Sequence, residues 1–326
     1  MPSILRLARR LAAALLCLAA LAPARAEITG AGATFPSPVY ARLAEQYRQA
    51  TGVEVRYEPV GSGAGVERIA RRQVDFAGTD KPLTSQELQR LGLRQFPAVI
   101  GGVVPVVNIG GAASSALRLS GEVLGDIYLG RIRKWNDRAI TALNPGLALP
   151  SSNITVVYRA DSSGTSHLWR QFLAHTNKAW SATGEAWPVG VAEMGNEGVA
   201  SSVQRTRMSI GYVEYAYAVA HRLDVASVRN RDGQYPRPSR EAFQAAAAGW
   251  DGDAAQPLID RPGAGSWPIV GASFILVPSA ASASTSEALK FLDWALREGA
   301  SAATSLNYVP LPTQIVLVIE KDWPAR

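Results

Sequence analysis

The sequence predicts an α/β protein of two lobes with mostly parallel sheets. Three observations carry that expectation: short apolar runs alternate with helical patterns, the chain is long enough for two cores, and Ser/Thr/Gly clusters recur where strands give way to helices. In α/β proteins ligands gather at such strand ends.

The elements follow in order. Residues 53 to 60 (VEVRYEPV) alternate like a strand, 66 to 73 have helical spacing, 74 to 77 read as a short buried strand, and 85 to 91 return to a helix. The rhythm resumes with 153 to 159 (NITVVYR) as a strand and 166 to 175 as a helix. Two apolar stretches, 98 to 108 and 268 to 278, read as strands crossing between lobes, with glycines that can absorb backbone rotation at a hinge or, equally, as buried core strands. Residues 284 to 299 form a last helix with Phe291 and Trp294 on one face. The lobes expected from this pattern are 27–103 plus 274–326 and 104–273.

Residues 1 to 26 have the form of a secretory signal. Arg6, Arg9 and Arg10 precede an apolar run of 12 residues, Leu11 to Ala22, and Ala24-Arg25-Ala26 supplies a small-x-small cleavage site. That run is well short of the roughly 20 residues that span a bilayer. Cleavage removes four arginines and no acid, so 29 basic residues face 27 acidic ones and the net charge falls from +6 to +2. Near balance argues against a nucleic-acid binder, which would carry a basic patch. The single Cys17 lies in the signal, so cysteine-based zinc sites, disulfides and thiol nucleophiles are not expected in the remaining 300 residues. No cofactor is called for.

The chemistry concentrates in three loops: Gly30 to Pro36 (GAGATFP), Gly61 to Gly65 (GSGAG) and Ser162 to Ser166 (SSGTS). A helix N-terminus offers unpaired N–H groups and a partial positive charge, and Ser and Thr hydroxyls add donors, so such loops can hold an anion. Each alone is also an ordinary cap or turn. Arg159 ends its strand just before the third loop, with Asp161 placed to hold its guanidinium fork. Asp80 ends the strand VDFAGTD, where an acid repels an anion unless the anion brings a proton. Phosphate brings one and sulfate does not, a difference sufficient for roughly a thousandfold discrimination. Neither Ser62 nor Ser163 sits in G-x-S-x-G, the glycine loops fit neither G-x-G-x-x-G nor the Walker pattern, and His167 reads as a packed or solvent-facing helix residue rather than a base.

The strings TGAGATFPSPVY (29 to 40), VDFAGTDKPL (74 to 83), FPAVIGGVV (96 to 104), GDIYLGRIRKWND (125 to 137), RADSSGTS (159 to 166) and IGYVEYAYA (210 to 218) closely resemble the PstS-type periplasmic phosphate-binding proteins. The resemblance covers essentially the whole chain after the signal. It implies a type II periplasmic binding fold, two α/β lobes joined by a hinge, in a monomer that delivers inorganic phosphate to a Pst-type ABC transporter permease at the inner membrane. It also implies Thr34, Phe35, Ser62, Asp80, Arg159, Ser163, Gly164 and Thr165 as phosphate ligands, with Asp161 orienting Arg159. Two departures stand out: the second loop lacks the family's frequent second serine, and Lys81 replaces a small residue, which raises the positive potential at the cleft mouth. The competing expectations are another oxyanion, arsenate or sulfate, on the same scaffold, a secreted phosphatase-like protein, or a scaffold retained for adhesion or signalling without binding.

Overall fold

The computed structural model describes residues 27–321, apart from 112, 113, 115, 183–185 and 281, together with Trp323; the expected signal peptide lies outside the described residues. The chain runs β1 (Ile28–Gly32), α1 (Ser37–Thr51), β2 (Val55–Glu58), α2 (Ser62–Ala70), β3 (Phe76–Thr79), α3 (Ser85–Leu91) and the long β4 (Leu93–Asn108). It continues through β5 (Arg118–Leu119), α4 (Gly121–Tyr128), α5 (Arg138–Leu143), β6 (Thr155–Arg159), α6 (Gly164–Thr176), β7 (Val191–Glu193), α7 (Gly195–Arg205), β8 (Ser209–Glu214), α8 (Tyr215–Ala220), β9 (Asp224–Val225), β10 (Ser227–Val228) and α9 (Arg240–Ala246). The last elements are β11 (Val270–Pro278), α10 (Ala283–Glu298), α11 (Ala300–Ser305), β12 (Val309–Pro310) and α12 (Thr313–Lys321).

The main sheet has the order β2-β1-β3-β11-β4-β8-β6-β7. Its two ends are parallel, β1 with β2 and β3, and β6 with β7 and β8. The middle is not, because β11 is antiparallel to both β3 and β4, and β4 to β8. The expectation of mostly parallel sheets therefore holds at the two ends of the sheet and fails in its middle. β4 makes the join: it pairs with β11 through Gly102 and with β8 from Val103 onward. Both β4 and β11 are buried along nearly their whole length, as unbroken apolar runs predict.

Local chemistry sets most limits. In α3 the Thr84 hydroxyl accepts from Glu87 N–H while the Glu87 carboxylate accepts from Thr84 N–H, a reciprocal cap that starts the helix at the expected residue. The helix expected at 66 instead begins at Ser62. Its glycines belong to the first turn because that turn lies against β1, where a Cβ on Gly65 would stand 2.4 Å from Gly32 Cα. Each lobe has an aromatic cluster beneath the cleft: Tyr40, Tyr57, Phe76 and Phe291 in the first, and Tyr128, Trp169 and Tyr212 in the second. No described helix is long and apolar enough to cross a membrane.

Candidate functional site

The three hydroxyl-rich loops, which follow β1, β2 and β6, meet one another beside the end of β3. Ser62, at the start of α2, accepts from Gly164 N–H at 3.1 Å and from Asp80 N–H at 3.3 Å, joining two loops and the end of β3 across the lobes. Gly63 N–H donates to Ser162 O at 2.9 Å, a second link of the same kind. With both lone pairs engaged, the Ser62 hydroxyl can only donate its proton elsewhere.

The first loop is held by its carbonyls. Ala33 O accepts from Tyr57 OH at 2.9 Å, Thr34 O from Tyr217 OH at 2.7 Å, and Phe35 O from Tyr308 OH at 2.6 Å. Three consecutive carbonyls are thus tied by tyrosines from distant parts of the chain. Glu214 Oε2 lies 2.7 Å from the Tyr308 hydroxyl and also accepts from Ala216 N–H, capping α8. Burial pushes the Glu214 carboxyl well above its usual range, against the pull of the Tyr308 hydrogen bond.

Arg159 is 3 % exposed. Its Nε donates to Asp161 Oδ1 at 2.7 Å and one Nη to Asp161 Oδ2, the fork that the sequence suggested. Asp161 Oδ1 also accepts from Gly195 N–H at 3.0 Å. Burial pushes the Asp161 carboxyl up, but the hydrogen bonds and charge of Arg159 with the Gly195 N–H outweigh it and hold it below 3.8. The remaining nitrogen, Arg159 Nη1, is buried without a hydrogen-bond partner among the described residues. The backbone N–H of Arg159 is fixed by Tyr212 OH, which also bonds Ser166 Oγ and stacks on Trp169, so the second core cluster anchors the cation.

Asp80 is 2 % exposed, and its Oδ1 accepts from Ser273 Oγ at 2.8 Å. Burial raises its pKa to about 7, with the Ser273 hydrogen bond and the Arg159 charge pulling the other way. Thr34 and Thr165 are likewise buried and meet through Asn196, whose Nδ2 is 2.8 Å from Thr34 Oγ1 and 3.2 Å from Thr165 Oγ1. Ser163 caps α6 through Ser166 N–H at 3.1 Å, the ordinary role such a residue plays. His167 is half-buried beside Asp80, in a crevice that Gln171 and Trp250 also line. Burial and then the charge of Lys81 depress its pKa to about 4.

Thr34, Ser62, Asp80, Arg159, Gly164 and Thr165 thus converge on one buried place between the lobes, with Phe35 and Ser163 beside them in the chain. Sequence reasoning missed Ser273, Asn196 and the three tyrosines. Asn196 had a local signal, since GNEGVA opens a helix much as the other loops do.

A mixed sheet with parallel ends joined through the long β4, and helix N-termini gathered round a buried cation, defines a binding protein of the periplasmic type. A family model described as a PBP superfamily domain matches residues 19–298. The chain belongs to the PstS phosphate-binding proteins within that class. It is 45 % identical over 307 residues to phosphate-binding protein PstS of Pasteurella multocida, covering 91 % of this chain and 89 % of that one. With the protein of the same name from Haemophilus influenzae it shares 46 % over 307 residues, covering 91 % and 92 %. Among solved structures, a high-affinity periplasmic phosphate-binding protein bound with phosphate superposes with a TM-score of 0.71 at 22 % identity, covering 92 % of this chain and 94 % of that one. A phosphate ABC transporter substrate-binding protein from Clostridium perfringens gives 0.67 at 19 %, covering 88 % and 100 %. At such identities the structural likeness speaks for the fold.

Proposed function

We propose that this chain captures inorganic phosphate, as hydrogen phosphate or dihydrogen phosphate, between its lobes and hands it to the permease subunits of a Pst-type ABC importer. One observation carries the reading: a buried Arg159, its Nη1 unpartnered among the described residues, lies close enough for its charge to act on a buried Asp80 whose pKa is raised to about 7. Such a pair suits an anion that is rich in acceptors and still carries a proton. In this reading Arg159, the Thr34, Ser62 and Thr165 hydroxyls, and N–H groups at Phe35 and Ser163 donate, with the Gly164 N–H shared between the anion and Ser62 Oγ, while Asp80 accepts the ligand's proton. Asp161 acts by holding the guanidinium. The names of the relatives support phosphate in particular.

The same reading has the protein working in the periplasm as a monomer, after loss of residues 1–26. Its lobes are 27–103 with 274–326 and 104–273, supported at the first crossing by the change of partner along β4. It binds and does not hydrolyse, as its relatives' names suggest, and turnover of a chromogenic phosphate ester would overturn that part. Titration calorimetry with phosphate and sulfate tests the whole. Phosphate binds at micromolar Kd or tighter, about −8 kcal/mol or better, and sulfate roughly a thousandfold more weakly. Equal binding of the two, or none of phosphate, defeats the proposal; arsenate, which shares the proton, should compete.

A further inference from the structure

Asn196 is fully buried in the first turn of α7, in the second lobe. Its Oδ1 faces Glu214 N–H at 2.9 Å. A backbone N–H can only donate, so the atom facing it must be the amide oxygen, and the orientation of the amide is decided by the backbone. The Nδ2 group, which can only donate, therefore faces Thr34 Oγ1 and Thr165 Oγ1. Asn196 N–H adds a second donor to Thr34 Oγ1 at 3.3 Å.

A hydroxyl has one proton and two lone pairs. At Thr34 both lone pairs are engaged by Asn196, and at Thr165 one is. Each hydroxyl proton is thereby directed away from Asn196. We infer that Asn196 is a positioning residue that fixes hydrogen-bond direction at the site: without touching the anion, it obliges the Thr34 and Thr165 hydroxyls, one from each lobe, to donate into the cleft. The chain of direction runs from Glu214 N–H through the Asn196 amide to the two hydroxyls. A ligand that offers only acceptors then meets donors already aimed, and a ligand that must donate at those points meets none that can turn. This inference rests on the phosphate reading proposed above.

The test compares Asn196→Asp with Asn196→Ala by phosphate calorimetry from pH 5 to 8.5, with the wild type in parallel and thermal unfolding as a check on folding. The Ala variant keeps the backbone N–H on Thr34 Oγ1 but loses the amide, so one lone pair of each hydroxyl is released and its direction is no longer fixed; it binds phosphate about tenfold more weakly at all pH values. The Asp variant keeps the bond from Glu214 N–H but presents an acceptor where Nδ2 stood, drawing both hydroxyl protons away from the anion. It binds on the order of a hundredfold more weakly at pH 8 and recovers as its carboxyl is protonated. The ionisable neighbours are common to all variants: Asp161 on the adjacent Gly195 N–H, Glu214, Tyr217 on Thr34 O, and the Arg159 and Asp80 of the site. The ratio of the two variants therefore isolates position 196.

A new negative charge near an anion would also weaken binding, so both substitutions are repeated in a Thr34→Val background. If Asn196 acts through the hydroxyls, the excess penalty of Asp over Ala, about tenfold when both are present, falls to about threefold there, the remainder acting through Thr165. An Asp variant no weaker than the Ala variant, no recovery at low pH, or an undiminished excess in the Thr34→Val background would each overturn the inference. Failure of the wild type to bind phosphate would instead remove the reading beneath it.

Discussion

Ser273 donates its hydroxyl proton to Asp80 Oδ1 across 2.8 Å, with both residues closed off from solvent. The pair joins β11 to the end of β3, whose neighbouring residues Phe274 and Thr79 are in register. One serine hydrogen bond and a nearby arginine do not repay the burial of a carboxylate, so the Asp80 pKa remains at about 7. Between pH 3.8 and 7 the folded, unliganded protein holds a proton that the unfolded chain has released, and stability falls as pH rises through that window. Asp80→Asn removes the penalty. In phosphate-free buffer the variant should be more stable than the wild type at pH 8 by roughly 2–4 kcal/mol, with the gain shrinking toward pH 4. Thermal unfolding across pH decides it, and a variant no more stable at pH 8 would contradict the burial argument.

The same substitution bears on selectivity. An Asn side chain can donate to a fully ionised oxyanion as well as accept, so sulfate no longer meets an unpaired carboxylate. Asp80→Asn should raise sulfate affinity relative to phosphate by tenfold or more, about 1.4 kcal/mol. Competition calorimetry measures the ratio, and an unchanged ratio would take Asp80 out of the selectivity role.

Asp161 titrates in the opposite sense. Its folded pKa lies below 3.8, so its contribution is complete above that value and is lost only as pH falls through the depressed one. Asp161→Asn leaves the Arg159 charge without its partner, and breaking a buried pair in this way costs about 3–5 kcal/mol. The loss should be constant from pH 8 to 5 and close only in more acid solution, the reverse of the Asp80 profile. A pH-dependent difference within the 5–8 range would show that the two carboxylates are not separable as described.

What could be read in the sequence was local. The start of α3 follows from Thr84 and Glu87, three residues apart, and the Arg159 fork from an aspartate two residues on. The three loops declared their donors by composition. Ser273, by contrast, lies 193 residues from Asp80, and Tyr308 lies 273 from Phe35. No period or spacing links such pairs; only the order of strands in the sheet brings them together. The α2 start was hidden for a related reason, because its glycines serve a close packing against β1 that composition presents as a loop.

Lys81 is exposed and lines the outer crevice with Ser62, Ser163 and Gly164, the position expected of a charge at the cleft mouth. It makes its contribution before the lobes meet, so Lys81→Ala should lower the phosphate association rate about two- to threefold at low ionic strength and leave the dissociation rate alone. The difference should vanish by about 0.5 M salt, where screening acts within a few ångströms. Stopped-flow association at several salt concentrations measures it, and an unchanged rate and salt dependence would leave Lys81 without this role.

Gly164 opens α6 and faces the other lobe at very short range. A Cβ there would stand 2.5 Å from Asp80 Cβ, 2.6 Å from Asp80 Oδ2 and 2.7 Å from Ser62 Oγ. The nearest of these atoms belongs to the root of a buried side chain, so it cannot swing aside as the tip of a lysine would. Both neighbours belong to the opposite lobe, and separating the lobes relieves the overlap. The cost of Gly164→Ala therefore falls on closure, while within α6 alanine is the better helix former by about 1 kcal/mol. Phosphate affinity should drop a hundredfold or more, about 2.7 kcal/mol, while unliganded thermal stability stays close to that of the wild type. Small-angle scattering should find the variant as extended with phosphate as without it. A variant that binds like the wild type would mean that the lobes do not need to approach this closely to hold the anion.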